Sequence, residues 1–185
     1  GGEDFSDCLS LIDRVRRSDP DCLAGLGAES SIQPAGDGPH QIGRFQIRRQ
    51  IGEGGFGLVF LAFDPELERE VALKVPRVDA LLTQQTRERF LREAKAVAAL
   101  HHPNIATIYE SGQIGPICYI AAAYYSGGSL ADRVSPDSPL PPAEAARCMA
   151  TLAHAVQHAH SRGILHRDLK PANVLLGGKS RSGDH

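Results

Sequence analysis

His166-Arg167-Asp168-Leu169-Lys170-Pro171-Ala172-Asn173 is the stretch on which the reading of this chain turns. An acid, basic side chains and an amide are crowded into one short run that is stiffened by a proline. Before it lies an alanine-rich helical pattern over 143–162, and after it the apolar run Val174-Leu175-Leu176. A charged loop pinned between two apolar elements reads as a site and not as a solvated turn.

Composition sets the outer limits. The chain has 185 residues, of which 42% are hydrophobic and 23% charged, as in ordinary globular proteins of one large domain or two small lobes. A net charge of −2 gives no reason to expect nucleic acid or an anionic membrane as partner. Tryptophan is absent and aromatics make up 5%, which argues against binding single strands by stacking. No apolar run approaches the roughly 20 residues of a membrane helix, and no signal peptide opens the chain. The only methionine is Met149, so residue 1 is not expected to be a natural start, and a longer parent protein is expected. Cys8, Cys22, Cys118 and Cys148 are too scattered for a metal knuckle and read as free thiols of a reducing compartment.

Along the chain, Phe5, Leu9, Ile12 and Val15 predict an amphipathic helix over 4–17, stopped before Pro20. Residues 24–43 carry five glycines and two prolines and read as a linker, so the compact part should begin near Gly43-Arg44. Strands are expected from Phe45 to Ile51, over 58–62 and over 70–75, with Pro76 closing the third. The short connection 64–69 makes the sheet antiparallel. Phe90, Leu91, Ala94, Val97 and Ala98 form the stripe of a helix over 84–100. Two more strands, 105–110 and 117–123, flank the turn Gly115-Pro116. Ser126-Gly127-Gly128 then breaks the pattern, a short helix is expected over 130–134, and Pro141-Pro142 introduces the helix ended by Gly163. The expectation is an α+β chain: a linker region over 1–43, a β-rich lobe of five antiparallel strands and one helix over 44–125, and the start of a helical lobe over 126–185.

Two further features carry chemistry. Gly52-Glu53-Gly54-Gly55-Phe56-Gly57-Leu58-Val59 sets glycines between two strands. No helix follows them, so a dinucleotide fold is excluded, and GxxxxGK[ST] is absent. A glycine loop between strands can lie over phosphates and offer backbone N–H groups, since no Cβ blocks the approach. Lys74 interrupts an apolar strand and needs an anionic partner, either a phosphate or Glu93 on the following helix. His154 and His158, at i and i+4, lack a third ligand and read as a helix surface.

The ordered set 52–59, Val71-Ala72-Leu73-Lys74, Glu93 and 166–173 resembles eukaryotic-type protein kinases, in the style of the bacterial serine/threonine enzymes. The resemblance covers residues 45 to about 178 and implies a bilobal kinase fold with an incomplete helical lobe. It implies ATP and Mg2+ as cofactors, and proteins bearing Ser or Thr as substrates. The segment Ile51, Gly52, Glu53, Gly54, Gly55, Phe56, Gly57, Leu58 and Val59 would cover the ATP phosphates, with Val59 and Ala72 about the adenine. Lys74 would hold the α- and β-phosphates and be held by Glu93. Asp168 would orient the acceptor hydroxyl, Lys170 would neutralise charge on the γ-phosphoryl group, and Asn173 would be a Mg2+ ligand. Arg167 would receive an activation-loop anion, and His166 would pack against Val97 and Ile108. Two departures stand out. The bulky residue and the following acid that usually end the fifth strand fall on Ala122 and Ala123, which implies a roomier pocket behind the adenine. No Asp-Phe-Gly follows Asn173, so these residues alone are expected to be inactive as a kinase. A cytoplasmic location is implied, with any membrane anchor outside these residues. A nucleotide-binding scaffold without catalysis is the alternative reading.

Overall fold

The computed structural model describes residues 41–54, 57–77 and 83–177. The expected helix over 4–17, the linker up to residue 40, Cys8, Cys22, Gly55 and Phe56 lie outside them. Six strands form one antiparallel sheet: β1 (Gln41–Ile42), β2 (Phe45–Gly54), β3 (Gly57–Asp64), β4 (Arg69–Pro76), β5 (Ile108–Ile114) and β6 (Ile117–Ala123). Their spatial order is β1-β2-β3-β4-β6-β5. Helix α1 (Gln84–Ala98) lies between β4 and β5, and α2 (Leu130–Arg133) and α3 (Pro142–His160) follow β6.

Two expectations are corrected. The sheet has six strands instead of five, because Gln41 and Ile42 pair with Gln46 and Phe45. A two-residue strand has no periodicity of its own; it exists only through its neighbour. The strand expected over 105–110 runs instead from Ile108 to Ile114. Ile105 and Ala106 are apolar for another reason: both are buried in the connection after α1, and Ile105 packs into the cluster around α3.

Strand register sorts the side chains. Paired residues share a face, and faces alternate along each strand. Val59 pairs with Lys74, and Lys74 with Ile120; Leu61 pairs with Ala72, and Ala72 with Ala122. All of these therefore point to one face, where α1 sets Phe90 and Ala94 against Ile108, Cys118, Ile120 and Ala122. The opposite face carries Phe45, Ala62, Val71, Leu73, Tyr119 and Ala121, which form a second cluster. Thr83 starts α1 by accepting the Thr86 N–H on its side-chain oxygen at 3.1 Å.

The helical part packs separately. Pro142 occupies the first turn of α3, where its missing N–H costs nothing, and Gly163 turns the chain away with φ +74°. Leu152, Ala155 and Ala159 of α3 pack with Leu100, Ile105, Leu130 and Val174. The chain over 127–130 runs beside 174–176. Gly127 N–H donates to Leu176 O at 3.1 Å, Leu176 N–H to Gly128 O at 2.9 Å, and Leu130 N–H to Val174 O at 2.7 Å. A Cβ on Gly127 would lie 2.4 Å from the Leu176 carbonyl oxygen, so glycine is required for this close approach. Gly127→Ala is expected to cost about 2 kcal/mol, since backbone must move on both sides. Urea denaturation checks this, and a loss below about 0.5 kcal/mol would show that the ladder gives way freely.

Candidate active site

The predicted residues lie on three segments. The first is the β2–β3 hairpin. Gly57 has φ +136°, and a Cβ there would meet Val75 O at 2.2 Å, so the sheet itself demands glycine. Gly52 is different. A Cβ there would make only ordinary contact with Val59, at 3.6 Å, so its bareness is not required by that neighbour. It pairs with Val59 on the face shared with Lys74, which suits a ligand lying against the backbone. Ile51 falls at the register shift between Gln50 and Gly52. Glu53 pairs with Leu58, and Leu58 with Val75, so its side chain belongs to the opposite face. There its carboxylate meets Arg77 at 3.1 Å and Gln50 at 3.3 Å. Any contribution of Glu53 to phosphate binding would come through its backbone.

The second segment is β4 with α1. Lys74 is 7% exposed, between Val59 and Ile120 in the register. Ala72 and Val59 lie on the same face, one pair apart. Glu93 sits between the buried Phe90 and Ala94 on α1, at the border of the stripe that meets this face. Its Oε1 accepts from Arg89 Nε at 2.9 Å. Ala122 is wholly buried in the cluster under α1, and Ala123 donates its N–H to Thr107 O at 2.9 Å.

The third segment is the loop that opened the reading. Arg167 takes φ +61°, a left-handed conformation that is costly for a residue with a Cβ. That turn lets the Asp168 N–H fold back on His166, donating to its carbonyl at 2.9 Å and facing its Nδ1 at 3.3 Å. His166 is buried, and a ring nitrogen occupied by backbone is not poised as a base. Lys170 Nζ lies 3.1 Å from Asp168 Oδ2. Pro171–Asn173 forms a 3-10 turn that aims Asn173 back at the loop. Asn173 is 2% exposed, and its Nδ2 donates to Asp168 O at 2.8 Å and lies 3.5 Å from Asp168 Oδ2. With the nitrogen committed this way, Oδ1 is turned the other way.

These donors fit the implied cofactors. Mg2+ takes hard oxygen ligands, usually one or two from protein with the rest from phosphate and water. The Asn173 amide oxygen and the Asp168 carboxylate are ligands of that kind. No group of three or more His, Cys, Asp or Glu that could cage a metal occurs among the described residues. A buried lysine and a bare glycine on one face suit an anionic ligand such as a triphosphate.

Two contacts at this site had no signal in the sequence. Arg77 follows Pro76 with nothing in its spacing to mark it. Arg49 donates to the Tyr124 hydroxyl at 3.3 Å, tying β2 to the segment after β6. Both partnerships appear only once the strands are in register.

Residues 45–182 match the family profile of the protein kinase domain. The serine/threonine-protein kinase PrkC of Bacillus subtilis is 43% identical over 134 residues, 72% of this chain and 21% of that protein. PknB of Mycobacterium leprae is 40% identical over 142 residues, 75% of this chain and 23% of that protein. The chain thus spans about a fifth of the length of these relatives. Among solved structures, the PknI kinase domain of Mycobacterium tuberculosis superposes with a TM-score of 0.64 at 32% identity, over 76% of this chain and 58% of that one. The match runs through the glycine hairpin, Lys74, Glu93 and the loop 166–173 alike, and the chain belongs to the protein kinase family, on the bacterial serine/threonine branch.

Proposed function

We propose that this chain supplies the nucleotide-binding lobe and the acceptor-orienting loop of a protein serine/threonine kinase. The observation that carries the reading is the gathering of Asp168, Lys170 and Asn173 around one carboxylate, at 3.1 Å and 3.5 Å, on a loop held by the strained Arg167. Bound Mg2+–ATP brings the transferable γ-phosphoryl group. The residues position and neutralise, because a loose phosphoryl transition state leaves little covalent work for protein. Asp168 accepts the hydrogen bond of the substrate hydroxyl and turns its oxygen toward phosphorus. Lys170, already beside Asp168, offsets charge on the transferred group. Asn173 presents an amide oxygen to the metal. Lys74 would meet the α- and β-phosphates, with Glu93, whose Oε1 accepts from Arg89 Nε at 2.9 Å, as the carboxylate that would steady it. The substrates are proteins bearing Ser or Thr, and phosphotransfer takes place in the cytoplasm. Cys118 and Cys148 are buried free thiols, which suits a reducing compartment.

Calorimetric titration of the full chain with Mg2+–ATP tests the reading. Lys74→Met keeps the apolar stem in its buried place and removes the charge, so affinity is expected to fall at least about tenfold, as for a lost charge-assisted contact. Equal affinity of variant and parent would remove Lys74 from the site. The second ligand of the metal, expected on an Asp-Phe-Gly element, is absent from these 185 residues. Phosphotransfer assays therefore need a kinase unit that includes that element.

Ala122 makes a further prediction. Kinases usually carry a bulky side chain where this chain has Ala122, and the smaller residue would leave room behind the adenine, so ATP-competitive analogues enlarged beside that ring should inhibit the kinase. Ala122→Phe should weaken them by about a hundredfold through steric exclusion. Equal inhibition of both proteins would show that this space is closed by another route.

A further inference from the structure

The glycine hairpin is supported unevenly. Among the described residues, β1 covers only Phe45 and Gln46 of β2, so the remainder of β2, from Ile47 to Gly54, has β3 as its one strand neighbour there. That pairing is itself interrupted twice, between Ile47 and Arg49 and between Gln50 and Gly52. Each such bulge disrupts the ladder locally, so backbone pairing holds the far end of β2 less firmly than it holds β3 to β4.

Side chains cross the gap. Glu53 lies on the outer face, in line with Leu58 of β3 and Val75 of β4. Arg77 follows β4 immediately, and its guanidinium reaches over β3 to meet Glu53 Oε1 at 3.1 Å. The other carboxylate oxygen takes the Gln50 amide at 3.3 Å, so Glu53 is held from both sides. This contact joins β2 to β4, strands that share no backbone hydrogen bonds, on the face away from Lys74.

Resting on the ATP-binding reading above, we propose that Arg77 is a positioning residue for nucleotide, acting through Glu53 as an outer latch that sets the height of the glycine hairpin over the phosphates. β4 supplies both Lys74 on the inner face and the anchor for Arg77 on the outer one. The latch therefore references the hairpin to the strand that carries the phosphate-binding lysine. Its partners are 49% and 56% exposed. Exposed pairs of this kind shift equilibria by a factor of about five at most. A latch of that strength holds the hairpin at one height and still releases it for nucleotide exchange.

The test uses the full chain as wild type, as Arg77→Gln, and as the charge swap Glu53→Arg with Arg77→Glu. Calorimetry gives the Kd for Mg2+–ATP, and hydrogen exchange without nucleotide reports the amides of Gly52, Glu53 and Gly54. Arg77→Gln is expected to raise the Kd about threefold to fivefold and to speed exchange at the three amides by a similar factor. The swap should restore both. The ratio of variant to wild type should fall toward one at about 0.5 M salt, where exposed pairs are screened. A purely structural role for Arg77 would change melting temperature without this salt-dependent split. The proposal is overturned if Arg77→Gln matches wild type in both measurements, or if the swap behaves like the single variant. Failure of the wild type to bind Mg2+–ATP would remove the nucleotide reading instead, and the exchange data would still decide whether the latch exists.

Discussion

Asp168→Asn is expected to lower kcat about a thousandfold in a complete kinase unit, within the range for removing a positioned proton-accepting group. Asparagine has nearly the same shape, and the link that braces the loop runs from Asn173 Nδ2 to the Asp168 backbone carbonyl at 2.8 Å, which the substitution retains. What is lost is the negative charge that faces Lys170 at 3.1 Å and that we propose meets the acceptor hydroxyl. Mg2+–ATP affinity, which we assign to Lys74 and the glycine hairpin, should stay within about twofold. Single-turnover kinetics with saturating nucleotide separate the two quantities. A variant that turns over within tenfold of the parent would move the acceptor-orienting role elsewhere.

Arg44→Met is expected to produce the largest loss of stability in the β-rich part, about 3 kcal/mol, with a fall in melting temperature of about 10 °C. Arg44 lies just before β2 and grips Asp64 through two nitrogens at 3.0 Å each. It also pairs with Glu110 of β5, whose carboxylate accepts the Tyr119 hydroxyl as well. β5 and β2 lie near opposite edges of the curled sheet, so one guanidinium clips the edges together. Asp64 is 1% exposed and would be left with only the Glu66 and Leu67 N–H groups, at 3.0 and 3.4 Å. Methionine replaces the stem but not the charge, and an uncompensated buried carboxylate is costly.

The same cluster fixes an acid limit. Arg44 holds the carboxyls of both Asp64 and Glu110 below their usual range, chiefly by hydrogen bonding. A carboxyl lowered in the folded state contributes stability that is present above its unfolded value, near pH 4, and is lost as pH falls through its folded value. Wild type and Arg44→Met should therefore differ most at neutral pH and converge below about pH 4. Denaturant midpoints across pH 2.5 to 7 measure this, and a constant gap would mean the carboxylates are not the source. On the alkaline side, burial and Glu110 push the Tyr119 hydroxyl up to about 12, so it remains a donor to Glu110 beyond the ordinary tyrosine range near 10.

The strands β3, β4 and β6 were readable because each is an apolar run bounded by Gly, Pro or Asp-Pro, and α1 because Phe90 and Ala94 repeat at helical spacing. Ile105 misled for a physical reason. An apolar residue says that it will be buried, not by what, and this one is buried by α3. The loop 166–173 and Lys74 stand out in the sequence because they set unusual residue types in a tight local spacing. The Arg44 cluster was not, since its partners lie 20 and 66 positions away and any surface arginine looks the same in a sequence. Arg77 and Glu53 were hidden likewise, their meeting depending on the two pairings that place β3 between them.

The burial of Leu100 and Ile105 against α3 also bears on cooperativity. By position these residues belong to the β-rich part, but their apolar contacts are made with Leu152, Ala155 and Ala159. Val97 of α1 packs against both that cluster and the one beneath the sheet. A cut at the glycine break after residue 125 would separate a sheet from the ground its one long helix stands on. The two halves should accordingly melt together, in one transition with one midpoint by every probe, and the β-rich half expressed by itself should not hold α1 in place.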